Sequence, residues 1–222
     1  MRDESLFFEL IKEGKHDALK KLIEANPQLV EARYEGYLSP CLLALYNNEP
    51  EIARWLFEQR IPIDIFSAAA IAPAPVLVEL LAAQPELVNA FAQDGFQPLG
   101  LAAFFGNLEA ISILLDRGAQ VNQSSRNEMK VMPLHSAVAN RHLEIARLLI
   151  ARGALVNATQ AGDFTPLHAA AQNGQLDMVL LLLENGAQTG AVNKAGETPL
   201  QLALSHGHKE VATALQTQKP PS

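Results

Sequence analysis

The chain has 222 residues, a single cysteine and a formal net charge of −7, and 49% of its residues are hydrophobic. This apolar share is enough to bury an extended core, and the lone cysteine excludes an intramolecular disulfide and a cysteine-only zinc site. Nucleic acid is not expected as a partner, because residues 61–116 contain six acidic and no basic residues, and binding a phosphate backbone requires clustered Lys and Arg.

The amino-terminal stretch MRDESLFFELIKEG is acidic and amphipathic and lacks the apolar region of a secretory signal. No apolar run approaches 18 residues without a charge or a proline, so no membrane span is predicted. Together with the single cysteine, which fits a reducing compartment, these features predict a cytoplasmic protein, and we expect a monomer.

Two helices are predicted first, over residues 5–14 and 16–25. Ser5 is a candidate N-cap, and Leu6, Leu10 and Ile11 recur at helical spacing as candidate core residues.

A second helical pair begins at Pro40, and a third at Ile65, only 25 residues later. About eight residues are therefore missing from the connection, compared with the later spacing of 33. The first helix of the third pair is predicted to end at Pro73, so irregular stacking is expected across residues 61–94.

A regular pattern follows from about residue 94. Pro133, Pro166 and Pro199 lie 33 residues apart, and each is followed by Leu. Between the prolines stand an Ala-rich helix, a break that is often Gly, a Leu-rich helix and a Gly-Ala stop. A unit of this size cannot bury its Leu-rich face alone, so the units are predicted to stack on one another.

The stretch from Phe164 to Asn193 opens with Phe-Thr-Pro-Leu-His and resembles the ankyrin repeat family, whose unit is about 33 residues long. The absence of a second domain type makes it similar to stand-alone, bacterial-type ankyrin repeat proteins. The resemblance implies an all-α solenoid of about seven helix-turn-helix units with short β-hairpin-like fingers. The predicted units lie near residues 5–38, 39–63, 64–95, 96–130, 131–163, 164–196 and 197–218, in a single domain spanning 1–218 with a disordered tail at 219–222.

Histidine and cysteine side chains are given structural interpretations. His135 and His168 occupy the same turn position one unit apart, His206 and His208 have too few neighbouring ligands for a metal site, and Cys41 has no activating base nearby in sequence. We therefore predict no catalytic, cofactor-binding or metal-binding residues and no enzyme activity.

In the family it resembles, the two residues before the Gly break and those near the finger ends face a concave groove and contact partner proteins. Carried onto this sequence, the candidate partner-binding residues are Tyr46, Asn47, Phe96, Phe104, Phe105, Arg126, Asn127, Met129, Asn140, Phe164, Gln172, Asn173 and His206.

Phe104 and Phe105 are the most informative of these candidates. Adjacent helical side chains point about 100° apart, so one narrow stripe cannot bury both, and at least one is expected to reach the groove. The alternative, which remains open, is that both fill space against the irregular third unit.

The predicted function is non-catalytic protein–protein interaction through the groove and fingers, and the acidic middle of the chain favours a basic partner. One alternative is a dedicated regulatory subunit or inhibitor of a single enzyme. Another is an enzyme whose active site lies in the irregular residues 61–94.

Overall fold

The computed structural model describes residues 2–59 and 63–217. Within these ranges the protein is all-helical, with fourteen α-helices and two short 3-10 segments at Pro27–Glu31 and Pro85–Asn89. The α-helices are α1 (Arg2–Lys12), α2 (His16–Ala25), α3 (Pro40–Tyr46), α4 (Pro50–Glu58), α5 (Ile65–Ile71), α6 (Ala74–Ala83), α7 (Pro98–Phe105), α8 (Leu108–Asp116), α9 (Pro133–Ala139), α10 (Leu143–Ala151), α11 (Pro166–Gln172), α12 (Leu176–Glu184), α13 (Pro199–Ser205) and α14 (Lys209–Thr217). They pack in seven consecutive pairs, which confirms the predicted helical solenoid.

Most first helices of the pairs begin at a proline, because proline at the first helical position loses no hydrogen bond and already has a helical φ angle. Thr165 and Thr198 cap two of them through hydrogen bonds from the third backbone amide. Helix α5 lacks the proline and begins at Ile65, where the Asp64 carboxylate accepts from the Ser67 amide at 2.7 Å.

The pairs stack through small residues. Each first helix packs on the next from α1 to α13, and fully buried alanines lie in these contacts, among them Ala102, Ala137, Ala170 and Ala203. The second helices pack in series from α6 to α14. Every pair therefore buries its apolar faces against its neighbours, as expected for a repeat array.

The loops between pairs also contact one another in series. Backbone amides of Arg126, Ala161 and Lys194 donate to carbonyls of the preceding loop, Gly95, Met129 and Gly162, at 2.9, 3.0 and 2.8 Å. Two of the loops close on themselves through isolated antiparallel bridges, Tyr34–Leu38 and Gln160–Phe164.

The hydrophobic core is divided at the third pair. One buried cluster extends from Phe7 to Leu56 and includes Ala70, and the other extends from Ile65 to Leu215. This division lies within residues 61–94, where the sequence predicts irregular stacking.

The prediction for the first helix was wrong in two details. Helix α1 begins at Arg2, so Ser5 lies within it and does not cap it. Leu6 is 43% exposed, whereas Phe7 and Ile11 are fully buried. No turn proline fixes the phase of this helix, and three consecutive apolar residues, Leu6 to Phe8, fit more than one register.

The predicted tail at 219–222 and the beginning of the link after α4, residues 60–62, lie outside the described residues. No helix in the described part of the chain is long and apolar enough to cross a membrane.

Candidate interaction surface

The carboxyl ends of the first helices lie side by side. Counting the turn proline as zero, positions 6 and 7 precede the break between the two helices of each pair. We call the residues at these positions the first-helix surface: Tyr46, Asn47, Phe104, Phe105, Ala139, Asn140, Gln172, Asn173, Ser205 and His206. Eight of the thirteen predicted partner-binding residues belong to it.

Position 7 is largely occupied by contacts within the protein. The side-chain amides of Asn47 and Asn140 donate to the Leu43 and Ser136 carbonyls at 2.8 and 3.1 Å. His206 Nδ1 lies 3.0 Å from the Leu202 carbonyl. These side chains satisfy carbonyls that the end of a helix leaves free, so part of their polar capacity serves the fold.

Position 6 is more open to solvent. Tyr46, Phe104, Ala139 and Ser205 are exposed, and Gln172 is half-buried. In this row, the Ser205 hydroxyl donates to the Leu202 carbonyl of its own helix at 3.1 Å.

An aromatic row runs across the third pair. The Tyr46 ring lies 5.9 Å from the Phe105 ring, which lies 5.0 Å edge-on from the Phe104 ring. Phe105 is half-buried and packs against the amino-terminal core cluster, whereas Phe104 is 41% exposed. The two phenylalanines therefore divide between the two interpretations left open by the sequence: Phe105 fills space beside the third pair, and Phe104 reaches the surface.

Tyr46 extends this row to the next loop. Its hydroxyl donates to the Asp94 carboxylate at 2.8 Å, which connects the second pair to the loop before α7. Although the side chain as a whole is 39% exposed, desolvation of its hydroxyl group by the surrounding protein, followed by the charge of Asp94, raises the pKa of Tyr46, so the phenol remains protonated and donates this hydrogen bond.

The loop candidates have different environments. Phe96 and Phe164 are half-buried, and Phe164 packs on the His168 ring at 5.2 Å. Asn127 is engaged within the fold, because its side chain donates to the Asp94 carbonyl at 2.9 Å. Arg126 and Met129 are exposed, and the Arg126 guanidinium lies 3.7 Å from the centre of the Phe91 ring.

A row of polar residues at position 9 connects neighbouring pairs, and only one of them, His208, was given a structural role from the sequence. The side-chain amide of Asn107 donates to the Ala72 carbonyl at 3.2 Å, and that of Gln175 donates to the Val138 carbonyl at 2.9 Å. A ring nitrogen of His142 lies 3.1 Å from the Phe104 carbonyl, and one of His208 lies 3.0 Å from the Gln172 carbonyl. Each of these carbonyls belongs to the preceding pair. The constant distance of these polar residues from the turn proline was the signal that could have identified them.

A second row crosses the other end of each pair. Asn89, Asn122 and Asn157 each donate to a glycine carbonyl and accept from a backbone amide of the following unit, at distances between 2.9 and 3.1 Å. The Val-Asn dipeptide recurs at these places in the sequence.

His135 and His168 hold the turns together. His168 Nδ1 accepts from the Thr165 amide at 3.2 Å, and its Nε2 lies 3.1 Å from the Glu197 carbonyl in the next loop. His135 Nε2 makes the equivalent contact with the Ala158 carbonyl at 3.1 Å. Burial lowers the pKa of His135 to about 4, outweighing the effect of its hydrogen bonds, and also lowers the pKa of His168.

Cys41 is buried, and burial raises the pKa of its thiol to about 12. The side chain is therefore a thiol at neutral pH, and the thiolate is the nucleophilic form of cysteine. Within the described ranges, no three His, Cys, Asp or Glu side chains are grouped so that they could hold a metal ion.

Comparison with known proteins agrees with this architecture. The family model described as ankyrin repeats in three copies matches residues 65–160 and 156–220. Protein phosphatase 1 regulatory subunit 27 of Mus musculus is 41% identical over 66 residues, covering 28% of this chain and 42% of that protein. The ankyrin repeat and KH domain-containing protein mask-1 of Caenorhabditis elegans is 31% identical over 144 residues, covering 61% of this chain and 5% of that protein.

A third relative, the probable E3 ubiquitin-protein ligase XBOS31 of Oryza sativa subsp. japonica, is 38% identical over 94 residues, covering 42% of this chain and 21% of that protein. The chain thus spans less than half the length of each of these three relatives. Because the family model covers more than half of the chain, and the helical pairs stack as its repeats require, the chain belongs to the ankyrin repeat family.

Proposed function

We propose that this protein binds a partner protein through the first-helix surface and the adjoining loop tips, without catalysing a reaction. Ankyrin repeats are protein-interaction modules, and the family membership supports a function of that kind. The proposal treats residues 1–218 as one monomeric binding domain of the cytoplasm, with a protein and not nucleic acid as its ligand.

The observation that carries the proposal is the exposure of Tyr46 and Phe104, at 39% and 41%, on this surface. Aromatic side chains dominate the energetics of many interfaces, because they bury a large area at a small cost in conformational entropy. Position 7 is used mainly for capping, so the specific contacts are assigned to position 6 and to the exposed loop residues Arg126 and Met129.

The stacked pairs also support tight association. A surface built on packed helices is already ordered before binding, and such a surface loses less conformational entropy than a flexible one.

Capture of partners from a lysate of the native host tests the proposal. The wild-type protein is compared with a Phe104→Ser, Gln172→Lys variant of the first-helix surface. A Val78→Ser variant is the matched control, because Val78 is 36% exposed on a second helix. We expect partners that are captured by the wild-type protein and the control and lost with the surface variant. Equal capture by all three proteins would contradict the assigned surface.

A second candidate is a regulatory subunit or inhibitor of one enzyme. This candidate is favoured by the similarity, which extends over 66 residues, to a protein named as a phosphatase regulatory subunit. It predicts that one enzyme predominates among the captured proteins and that its activity changes when the purified chain is added. Capture of several unrelated proteins with unchanged activities favours the general interaction module.

A further inference from the structure

The aromatic row lies beside a carboxylate that is held in place. The Tyr46 and Phe104 rings lie 5.9 and 5.0 Å from the ring of the half-buried Phe105, and each exposes about two fifths of its surface. The Asp94 carboxylate accepts from the Tyr46 hydroxyl at 2.8 Å with one oxygen and from the Phe96 amide at 3.2 Å with the other. These two bonds fix the orientation of the carboxylate next to Tyr46, the first ring of the row.

The carboxylate retains capacity for another ligand. Each carboxylate oxygen can accept two hydrogen bonds, and each oxygen of Asp94 is shown with one. In residues 2–59 and 63–217 the ion pairs involve Glu51, Glu144 and Asp116 and leave Asp94 without a cation within 4.0 Å.

The segment that carries Asp94 and Phe104 is acidic, although the adjoining loop brings in one basic residue, Arg126, whose backbone amide donates to the Gly95 carbonyl at 2.9 Å. Residues 61–116, which contain both Asp94 and Phe104, contribute six acidic and no basic residues. A positively charged ligand is therefore attracted to this part of the surface before contact, and an anionic ligand is repelled.

A guanidinium group matches this chemistry better than an ammonium group. Guanidinium is planar, is only weakly hydrated, stacks on aromatic rings and donates two parallel hydrogen bonds to a carboxylate. The protein already contains one such stack in the neighbouring loop, where the guanidinium of Arg126 lies 3.7 Å from the Phe91 ring centre.

We infer that Tyr46, Asp94 and Phe104 bind an arginine side chain of the partner protein. The guanidinium stacks on the exposed rings and donates hydrogen bonds to the free lone pairs of Asp94. The inference rests on the proposed function, because it names the chemical group that the same surface recognises.

A defined peptide tests the inference without knowledge of the partner. The probe is acetyl-Gly-Arg-Gly-amide, titrated at millimolar concentration into the 15N-labelled full chain and followed by amide chemical shifts. The comparison peptide carries citrulline, which has nearly the same shape as arginine but no charge. We expect saturable shifts around Tyr46, Asp94 and Phe104 with the arginine peptide, and binding of the citrulline peptide weaker by about tenfold or more. Absence of localised shifts, or equal binding of both peptides, would overturn the inference.

Two variants assign the effect to the carboxylate. Asp94→Asn removes the charge but can keep both local contacts, because its oxygen can accept from the Phe96 amide and its amide nitrogen can donate to the Tyr46 hydroxyl. Glu109→Gln makes the same chemical change at an exposed position of α8. We expect arginine binding to weaken by about tenfold or more in Asp94→Asn and to be unchanged in Glu109→Gln. An amide spectrum that matches the wild type outside the site verifies folding, and unchanged affinity in Asp94→Asn contradicts the inference.

The same variants separate this inference from the proposed function. Partner capture that is lost with Phe104→Ser, Gln172→Lys but kept with Asp94→Asn supports the interaction surface and overturns the arginine site. Capture that is unaffected by both variants contradicts the proposed surface itself, whatever the peptide binds.

Discussion

The His142 ring lies directly over Gly106 of the preceding helical pair. A β-carbon at Gly106 would come within 2.7 Å of the ring carbon Cε1, and the ring nitrogen Nε2 is 3.1 Å from the Phe104 carbonyl. Gly106 has a φ angle of +82°, so it both ends helix α7 in the left-handed region and makes space for the side chain of the next pair. The same arrangement recurs between Gly174 and His208.

This contact predicts that Gly106→Ala destabilises the fold more than an ordinary left-handed glycine substitution. The left-handed backbone alone costs about 1–2 kcal/mol for alanine, and the overlap with His142 adds a further 1–3 kcal/mol, roughly. Urea unfolding followed by circular dichroism measures the difference.

Gly118→Ala is the matched control, because its φ angle is +89° and its β-carbon would meet no atom within 4 Å. The overlap can also be removed from the other side by measuring Gly106→Ala in a His142→Ala background, where we expect only the backbone cost. Equal decreases in the free energy of unfolding for Gly106→Ala and Gly118→Ala would show that the His142 ring moves aside freely.

Leu181 provides a test of the stacking register. It is 4% exposed on α12, and Leu181→Ala is expected to lower the free energy of unfolding by about 2–5 kcal/mol through loss of buried surface and formation of a cavity. The adjacent Leu180 is 37% exposed, so Leu180→Ala is expected to cost about 0.5 kcal/mol or less. Chemical denaturation of both variants decides whether the helix faces the core as described.

The burial of His135 is expected to make the free energy of unfolding depend on pH. Burial lowers its pKa in the folded state to about 4, below its value in the unfolded chain. Between pH 6.5 and 4, roughly, the unfolded chain binds more protons, so stability falls as the pH falls, by up to about 1.4 kcal/mol per pH unit.

A His135→Gln variant keeps a donor near the Ala158 carbonyl but cannot titrate. Its free energy of unfolding is expected to change less between pH 7 and pH 5, roughly, than that of the wild type, although His168 still contributes in the same direction. His206→Gln, at an exposed position, serves as the control. Parallel pH profiles for wild type and His135→Gln would exclude this source of acid sensitivity.

The side chains of Asn89, Asn122 and Asn157 are expected to protect backbone amides of the following unit from hydrogen exchange. Asn122 accepts from the Leu155 amide and donates to the Gly153 carbonyl, both at 2.9 Å. Replacing it with leucine removes both hydrogen bonds, and we expect a loss of about 1–3 kcal/mol. Native-state hydrogen exchange is expected to show faster exchange of the Leu155 amide. Gln120→Ala, two residues earlier, should leave the exchange rate of the Leu155 amide unchanged. Equally slow exchange of this amide in the Asn122→Leu and Gln120→Ala variants would contradict the stabilising role of the two Asn122 hydrogen bonds.

The repeating part of the fold was predictable because local chemistry sets its phase. A turn proline such as Pro133 or Pro166 fixes the beginning of a first helix by its own backbone angle, and the remaining positions follow by counting. The first helix has no such marker, and there the sequence prediction placed Leu6 in the core although it is exposed.

The candidate surface was less predictable, because contacts between units depend on three-dimensional packing. Adjacency alone could not show that Phe105 packs against the amino-terminal core cluster while Phe104 remains exposed. Similarly, nothing in the spacing of Asp94 and Tyr46, 48 residues apart, indicates their hydrogen bond. That bond depends on how the second and fourth units pack across the third.

The divided core has a consequence for cooperativity. A repeat array with a weak internal junction can open in segments, and here the amino-terminal segment carries Tyr46 whereas the remainder carries Asp94 and Phe104. A ligand that contacts all three side chains binds only while the segments are docked, so its binding free energy adds to the cohesion of the junction by mass action. The ligand would therefore hold the two segments together and raise the temperature at which they separate.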